Sequence, residues 1–396
     1  MNFAGIAFKN PLIIAAGPTT AKIEQLEAAE KYGAAAVSIK HVMTKQKSEG
    51  CLRCYSRPEE VMIFPSDKRL TLEEGLRLIE VGKKRTKLKI LVNFSSQEAE
   101  LDSYGLLARK FEAAGADGLE INLCCPNFGL GKKELGFSEE EAEGGALTGQ
   151  NPRLAAAIVK IVKDNCSIPV IPKLTPTALD IGRVAEECVK AGADGLSLVG
   201  GPSLALPPVD IRHGGKPLYP LMSGTAFGAI TGSAIRYSTF KVTAQVAGRV
   251  QVPLTSSGGV DAWEHAVEMM MWGASSVGVC TATMWRGFEA IGKILAGMEK
   301  FLEEEGYRSY EDIVGLALPH LSSGSLEFSN GQAVIDPVLC TACGACLKPA
   351  HCDAVVMDGK KARVVPELCI GCGVCESLCR FKAIRMTSAF SKLAHE

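Results

Sequence analysis

Four copies of one short pattern recur along the chain: YGAAAVSI (32–39), AGADGLEI (114–121), AGADGLSL (191–198) and WGASSVGV (272–279). In each, a Gly-Ala pair leads into alternating apolar residues. The glycine suits the left-handed residue that ends a helix, and the alternation suits the strand that follows. Gly33, Gly115, Gly192 and Gly273 stand 82, 77 and 81 residues apart. A βα unit takes roughly 30 residues or more, so each interval holds two. Interleaved with the copies are PLIIAAG, KILVNF, IPVIPKL and VPLTSSGG, each ahead of a segment with helical spacing. Eight strand–helix units in alternation predict an α/β fold, a (β/α)₈ TIM barrel. A doubly wound open sheet is the second choice, and no early G-x-G-x-x-G opens a helix in its favour.

Chemistry on such a barrel sits on loops that follow the C-terminal ends of strands. The stretch INLCCPNF (121–128) places Cys124 and Cys125 there, after the fourth strand. The loops 41–70 and 200–231 are long enough to cover a site. Periodicity fades after residue 317 into a Ser/Gly-rich linker, 318–333, and a second module spans 334–396. With a net charge of −1, nothing in the sequence suggests a basic nucleic-acid surface or a polybasic membrane contact. The N-terminus MNFAGIAFKNPLII lacks a secretory pattern, and the longest uncharged run, 269–285, is broken by Gly, Ser and Thr. The expected location is cytoplasmic.

Eight of the fifteen cysteines fall after residue 339: Cys340, Cys343, Cys346 and Cys352, then Cys369, Cys372, Cys375 and Cys379. Three thiolates at C-x₂-C-x₂-C spacing wrap three corners of an iron–sulfur cubane, and the fourth ligand comes from the other run. Cys340, Cys343, Cys346 and Cys379 are expected to hold one [4Fe–4S] cluster, and Cys369, Cys372, Cys375 and Cys352 a second. A structural zinc site is the plainer alternative, but it takes four ligands, not eight. The module resembles a bacterial two-cluster ferredoxin of α+β type. It departs from that motif in the five residues between Cys346 and Cys352, and in Arg380, where the motif has proline. Clusters move single electrons, whereas a thiol at a barrel mouth implies bond chemistry. Flavin is the cofactor that converts between the two.

INLCCPN resembles the N-x-S-C-P-N/H loop of class 1 dihydroorotate dehydrogenases and of dihydropyrimidine dehydrogenase. The resemblance continues through KNPLIIAAGPTT, VSIKH, GQNP, IPKLTP, TGSAIR, SSGGV and VGVCTA, in the family's order. It implies one FMN and an enzyme that reduces or forms a C=C bond, with Cys125 as acid/base. It further implies FMN contacts at Ala15, Lys40, Asn93, Asn122, Lys173, Gly232, Ser257, Gly258, Gly259, Cys280 and Thr281. Asn122 and Asn127 are implied to meet the substrate. Electrons would pass to or from ferredoxin or a separate NAD(P)H-oxidising flavoprotein, and the family's pattern implies a homodimer.

The match fails at the family's pyrimidine binders. Gly200–Gly201 replaces an Asn-Thr or Asn-Ser pair, and VMIFPSDKR (61–69) has no counterpart to a further asparagine. Sites that recognise a polar ring by hydrogen bonds lose that ligand when the donors go. The expected substrate is therefore an unsaturated compound other than a standard pyrimidine. Arg53 and Arg57, or Arg212 and His213, are candidate partners for a carboxylate, although loop charges of this kind are more often simply solvated. A dihydropyrimidine or dihydroorotate dehydrogenase catalytic subunit is the alternative within the class. A non-catalytic flavin/iron–sulfur electron carrier is the alternative outside it. Cys51-x-x-Cys54 is a weak redox motif.

Overall fold

The computed structural model describes residues 1–44, 51–97, 101–125, 145–201, 203–222, 227–321 and 331–387. The chain divides into two compact units, Met1–Leu321 and Ser322–Glu396. In the first, eight parallel strands close on themselves. They are β1 (Leu12–Ile14), β2 (Ala36–Met43), β3 (Lys89–Ser95), β4 (Gly118–Leu123), β5 (Val170–Leu174), β6 (Leu196–Val199), β7 (Leu254–Ser257) and β8 (Ser276–Val279). Strand β8 pairs with β1 through Val277–Leu12, and β1 pairs with β2 through Ile13–Ala36, so the sheet has no open edge at the seam. The architecture is a TIM barrel.

Eight helices alternate with the strands: α1 (Ile23–Lys31), α2 (Leu72–Arg85), α3 (Ser103–Ala113), α4 (Pro152–Asp164), α5 (Ile181–Lys190), α6 (Arg236–Ala247), α7 (Trp263–Met271) and α8 (Glu289–Glu305). The repeat glycines end four of the helical segments with φ between +95° and +108°, a region that costs any side chain dearly. Gly33 donates to Glu30 O at 3.0 Å and Ala34 to Ala29 O at 3.0 Å, which closes the last turn before β2. Outward residues of the strands pack on the helices, as with Ile90, Val92 and Phe94 beside Phe111.

The two long loops join above the barrel. Arg53–Arg57 and Val61–Ser66 form a hairpin, and the latter strand pairs antiparallel with Gly228–Thr231 through Phe64–Ala229 and Met62–Thr231. Leu204–Ala205 completes this four-stranded sheet. Trp285 Nε1 donates to Ser56 Oγ at 3.0 Å and Arg286 pairs with Glu59 at 2.7 Å, which ties the hairpin to the segment after β8.

In the second unit, Gln332–Ile335 pairs antiparallel with Ile384–Thr387, and Val355–Asp358 with Lys361–Val364. Ala333, Val355, Ala362, Ala383 and Ile384 form its small core. Among the described residues no helix is long and apolar enough to cross a membrane.

Candidate active site

Parallel strands buried on both faces are normally apolar throughout. Here β2 to β6 also carry Ser38, Lys40, Asn93, Glu120, Asn122, Lys173 and Ser197, all buried. The register sets Asn93 beside Glu120, and Lys173 between Asn122 and Ser197. Glu120 accepts from Ser38 Oγ at 2.6 Å, Ser197 Oγ at 2.7 Å and Asn93 Nδ2 at 2.5 Å, with Lys173 Nζ at 3.9 Å. A buried carboxylate survives only with this degree of satisfaction.

The network continues upward to the paired cysteines. Asn122 Nδ2 donates to Asn93 Oδ1 at 2.9 Å, and Asn122 Oδ1 accepts from the backbone of Cys124 at 3.2 Å and of Cys125 at 3.0 Å. The carbonyl of Asn122 is thus engaged within the loop, which leaves one amide hydrogen for a ligand. Cys124 is buried, and desolvation pushes its thiol up to about 12 against the pull of Lys173. Cys125 faces the cavity.

That cavity, of about 1070 Å³ including its open mouth, is lined by Cys125 together with Ala15, Lys40, Asn93, Asn122, Lys173, Gly232, Ser257, Gly258, Gly259, Cys280 and Thr281. The structure therefore brings to one place Cys125 and all the expected FMN contacts, whereas Arg53, Arg57, Arg212, His213, Cys51 and Cys54 do not line the cavity and Asn127 lies outside the described residues. At its far end, Gly258 and Gly259 have φ of +116° and +84°, and a Cβ on Gly259 would stand 2.5 Å from Arg236 Cα. Such bare backbone after β7 and β8 is a cradle for a phosphate. Arg236 Nε is buried there without a partner among the described residues. These features fit FMN.

At the near end, burial and then the Arg69 guanidinium push the Lys40 ammonium below the ordinary lysine range, against the attraction of its ion-pair partner Asp67. Burial opposes the Lys173 charge too, but Glu120 and the nearby thiols outweigh it and raise the pKa. His41, whose Nε2 lies 2.8 Å from Ser95 Oγ, is driven well below the usual histidine value by burial, with Arg69, Lys40 and Lys173 adding to the effect. It is neutral.

Arg69 is the residue that sequence reading missed. Its Nη2 donates to Cys125 Sγ at 3.7 Å, and its Nη1 donates to Asp67 O at 3.1 Å. The SDKR stretch has no motif to mark it, and only the fold of the long loop turns it inward. The arginines first considered do not line this cavity. Arg57 pairs with Glu60 at 2.7 Å, Arg53 donates to Leu52 O, and Arg212 and His213 are exposed, with His213 on Asp210 at 2.7 Å.

Residues 1–302 match the dihydroorotate dehydrogenase family, three quarters of the chain. The chain belongs to the dihydroorotate dehydrogenase family. It is a flavin-dependent oxidoreductase acting on CH–CH groups, and residues 362–385 match a 4Fe-4S binding domain. The chain is similar to the dihydroorotate dehydrogenase B (NAD(+)) catalytic subunit of Pyrococcus furiosus, 32% identical over 321 residues, 79% of this chain and 96% of the relative. The same-named subunit of Methanothermobacter thermautotrophicus is 32% identical over 326 residues, 80% of this chain and 97% of its own. That of Methanocaldococcus jannaschii is 31% identical over 322 residues, 80% and 97%. Dihydroorotate dehydrogenase family membership accounts for the barrel. The relatives match 79–80% of this chain, so about a fifth of it lies outside each alignment.

In the second unit, Cys340, Cys343, Cys346 and Cys379 surround one cavity, and Cys352, Cys369, Cys372 and Cys375 another. Cys346 feels the charges of Cys340, Cys343 and Cys379, and Cys375 those of Cys372, Cys352 and Cys369. Each run thus lends one cysteine to the other. Cys54 stands near enough to Asp67 to feel its charge, and Cys51 is exposed.

Proposed function

We propose that this chain is the catalytic subunit of an FMN/iron–sulfur oxidoreductase that reduces or forms a C=C bond in a compound other than a standard pyrimidine. The observation that carries the chemistry is the convergence of Cys125, Lys40, Lys173, Asn93 and Asn122 on one cavity whose far end is a glycine cradle. Bound FMN supplies hydride exchange with one substrate carbon. Cys125 exchanges a proton with the neighbouring carbon, since a thiol positioned by hydrogen bonds can serve as either acid or base. Lys40 and Lys173 supply the positive charge that balances a reduced flavin. Gly232, Gly258, Gly259 and Thr281 would hold the phosphate arm through backbone N–H groups.

Support for an altered substrate comes from β6. A Cβ on Gly200 would lie 2.2 Å from Thr239 N, and one on Gly201 2.8 Å from Ile230 O. Neither position has room for a side chain, so the Asn-Thr or Asn-Ser pair that the family pattern implies here is excluded. The second reading, orotate or dihydroorotate as substrate, is favoured by the names of the relatives. We further propose two [4Fe–4S] clusters on the two cysteine quartets. They would exchange electrons with ferredoxin or a separate NAD(P)H-oxidising flavoprotein, in the cytoplasm.

An anaerobic turnover screen tests the reading. Flavin oxidation or reduction should be slow with dihydroorotate, orotate, dihydrouracil, uracil and thymine, and fast with a non-pyrimidine unsaturated compound. Rapid turnover of any of those pyrimidines would overturn it.

A further inference from the structure

Arg69 reaches the face of the cavity that Cys125 occupies. It lines the flavin cavity with Cys125, and with Pro18, Lys40 and Asp67 it also borders a second cleft that opens beside α1 and α2. The rim of that cleft carries Lys22, Lys68, Arg77 and Arg85 against Glu24 and Glu74. Lys68 pairs with Glu74 at 2.8 Å and Arg85 with Glu27 at 2.7 Å, so the positive excess of this rim is small.

Among the described residues the guanidinium is held without being used up. A guanidinium has five N–H donors in a rigid fork, more than Asp67 and Cys125 accept. Around the reacting end, Lys40, Arg69 and Lys173 face Asp67 and Glu120, one positive charge in excess among the described residues. Glu120 is spent on Lys173 and its three hydrogen-bond donors, and Asp67 is shared between Lys40 and Arg69. Lys40 and Lys173 serve the flavin, so Arg69 is the cation on the Cys125 face whose remaining donors suit an anionic partner. Planar, bidentate recognition of carboxylate is what arginine does better than lysine.

We propose that Arg69 is the specificity-determining residue of this site, its fork holding a carboxylate of the substrate against Cys125. This rests on the proposed function only in taking the Cys125 face as the reacting face. It gives the site a polar anchor in place of the one excluded by Gly200 and Gly201.

The test uses two alkylating probes on the holoprotein, with modification of Cys125 followed by peptide-resolved mass spectrometry. Iodoacetate carries a carboxylate and iodoacetamide does not. The iodoacetate/iodoacetamide rate ratio at Cys125 should exceed that of a free thiol by about tenfold or more, the scale of a charge-assisted hydrogen bond. Arg69→Met should return it to the free-thiol value, and Arg69→Lys should leave an intermediate one. A second measurement needs no variant: benzoate should protect Cys125 from iodoacetamide at concentrations where benzamide does not. A parent ratio equal to that of a free thiol, a ratio unchanged in Arg69→Met, or equal protection by benzamide would each overturn the assignment. Rapid turnover of orotate alongside a high ratio would instead sink the non-pyrimidine reading and leave Arg69 as the carboxylate anchor.

Discussion

Asn122 Oδ1 accepts the backbone N–H of Cys125 at 3.0 Å, so the loop that presents the thiol hangs from a side chain one layer below it. Asn122 is held in turn by Asn93, and Asn93 by Glu120. Asn93→Ala should therefore lower turnover by roughly 100-fold, the cost of a small misplacement at a reacting group, with FMN content unchanged. Stopped-flow flavin kinetics beside a flavin count will check it.

Cys125→Ala should abolish substrate-dependent flavin turnover while dithionite still reduces the flavin. An electron-carrying module without chemistry would show no change in any rate. Anaerobic absorbance at the flavin bands separates the two outcomes.

Gly259→Ala forces a side chain onto a residue with φ of +84°, 2.5 Å from Arg236 Cα. The cradle must shift, and FMN retention through gel filtration should fall at least about tenfold. Gly200→Asn would bring its Cβ to 2.2 Å from Thr239 N. It should destabilise the barrel by about 1–3 kcal/mol without conferring binding of orotate, as read by urea unfolding and by flavin difference spectra.

Acid should weaken the barrel through His41. Its folded pKa lies well below the ordinary value because burial disfavours the imidazolium. Below about pH 6.5 the unfolded chain takes up a proton that the folded one refuses, so stability falls as pH drops, by about 1.4 kcal/mol per unit until the folded pKa is reached. Above that window His41 contributes no slope. His41→Gln should flatten the acid limb. All three tryptophans, Trp263, Trp272 and Trp285, lie in the barrel unit, so their fluorescence in urea titrations reports on it.

Replacing one cysteine of each quartet should remove one cluster at a time. Cys346→Ser and Cys375→Ser should each cut the iron content by roughly half, and the double variant should hold almost none. Iron analysis with low-temperature EPR of the reduced protein will show whether two signals become one.

The barrel was legible in the sequence because its physics is local. A helix must end in a residue that tolerates positive φ, and the strand behind it must be apolar, so Gly33, Gly115, Gly192 and Gly273 mark the period without any knowledge of contacts. The cysteine triplets are local in the same way, since each triplet lines one cavity and only the fourth cysteine comes from the other run. Motif-bearing residues at strand ends, such as Asn122, Lys173 and Gly258, could also be placed, because strand ends all face one mouth. What the amino-acid order could not show was which loop residue turns inward. Arg69 and Arg53 share one loop, and the sequence offered Arg53 as a candidate carboxylate partner while nothing marked Arg69. Pairing of Val61–Ser66 with Gly228–Thr231 shapes the strand 2 loop around the mouth, and Asp67 and Cys125 hold the Arg69 guanidinium within the cavity. The same holds for Gly200, whose lack of a side chain acquires meaning only beside Thr239, thirty-nine residues on. Short-range preferences determined the scaffold; long-range packing decided which charges meet the thiol.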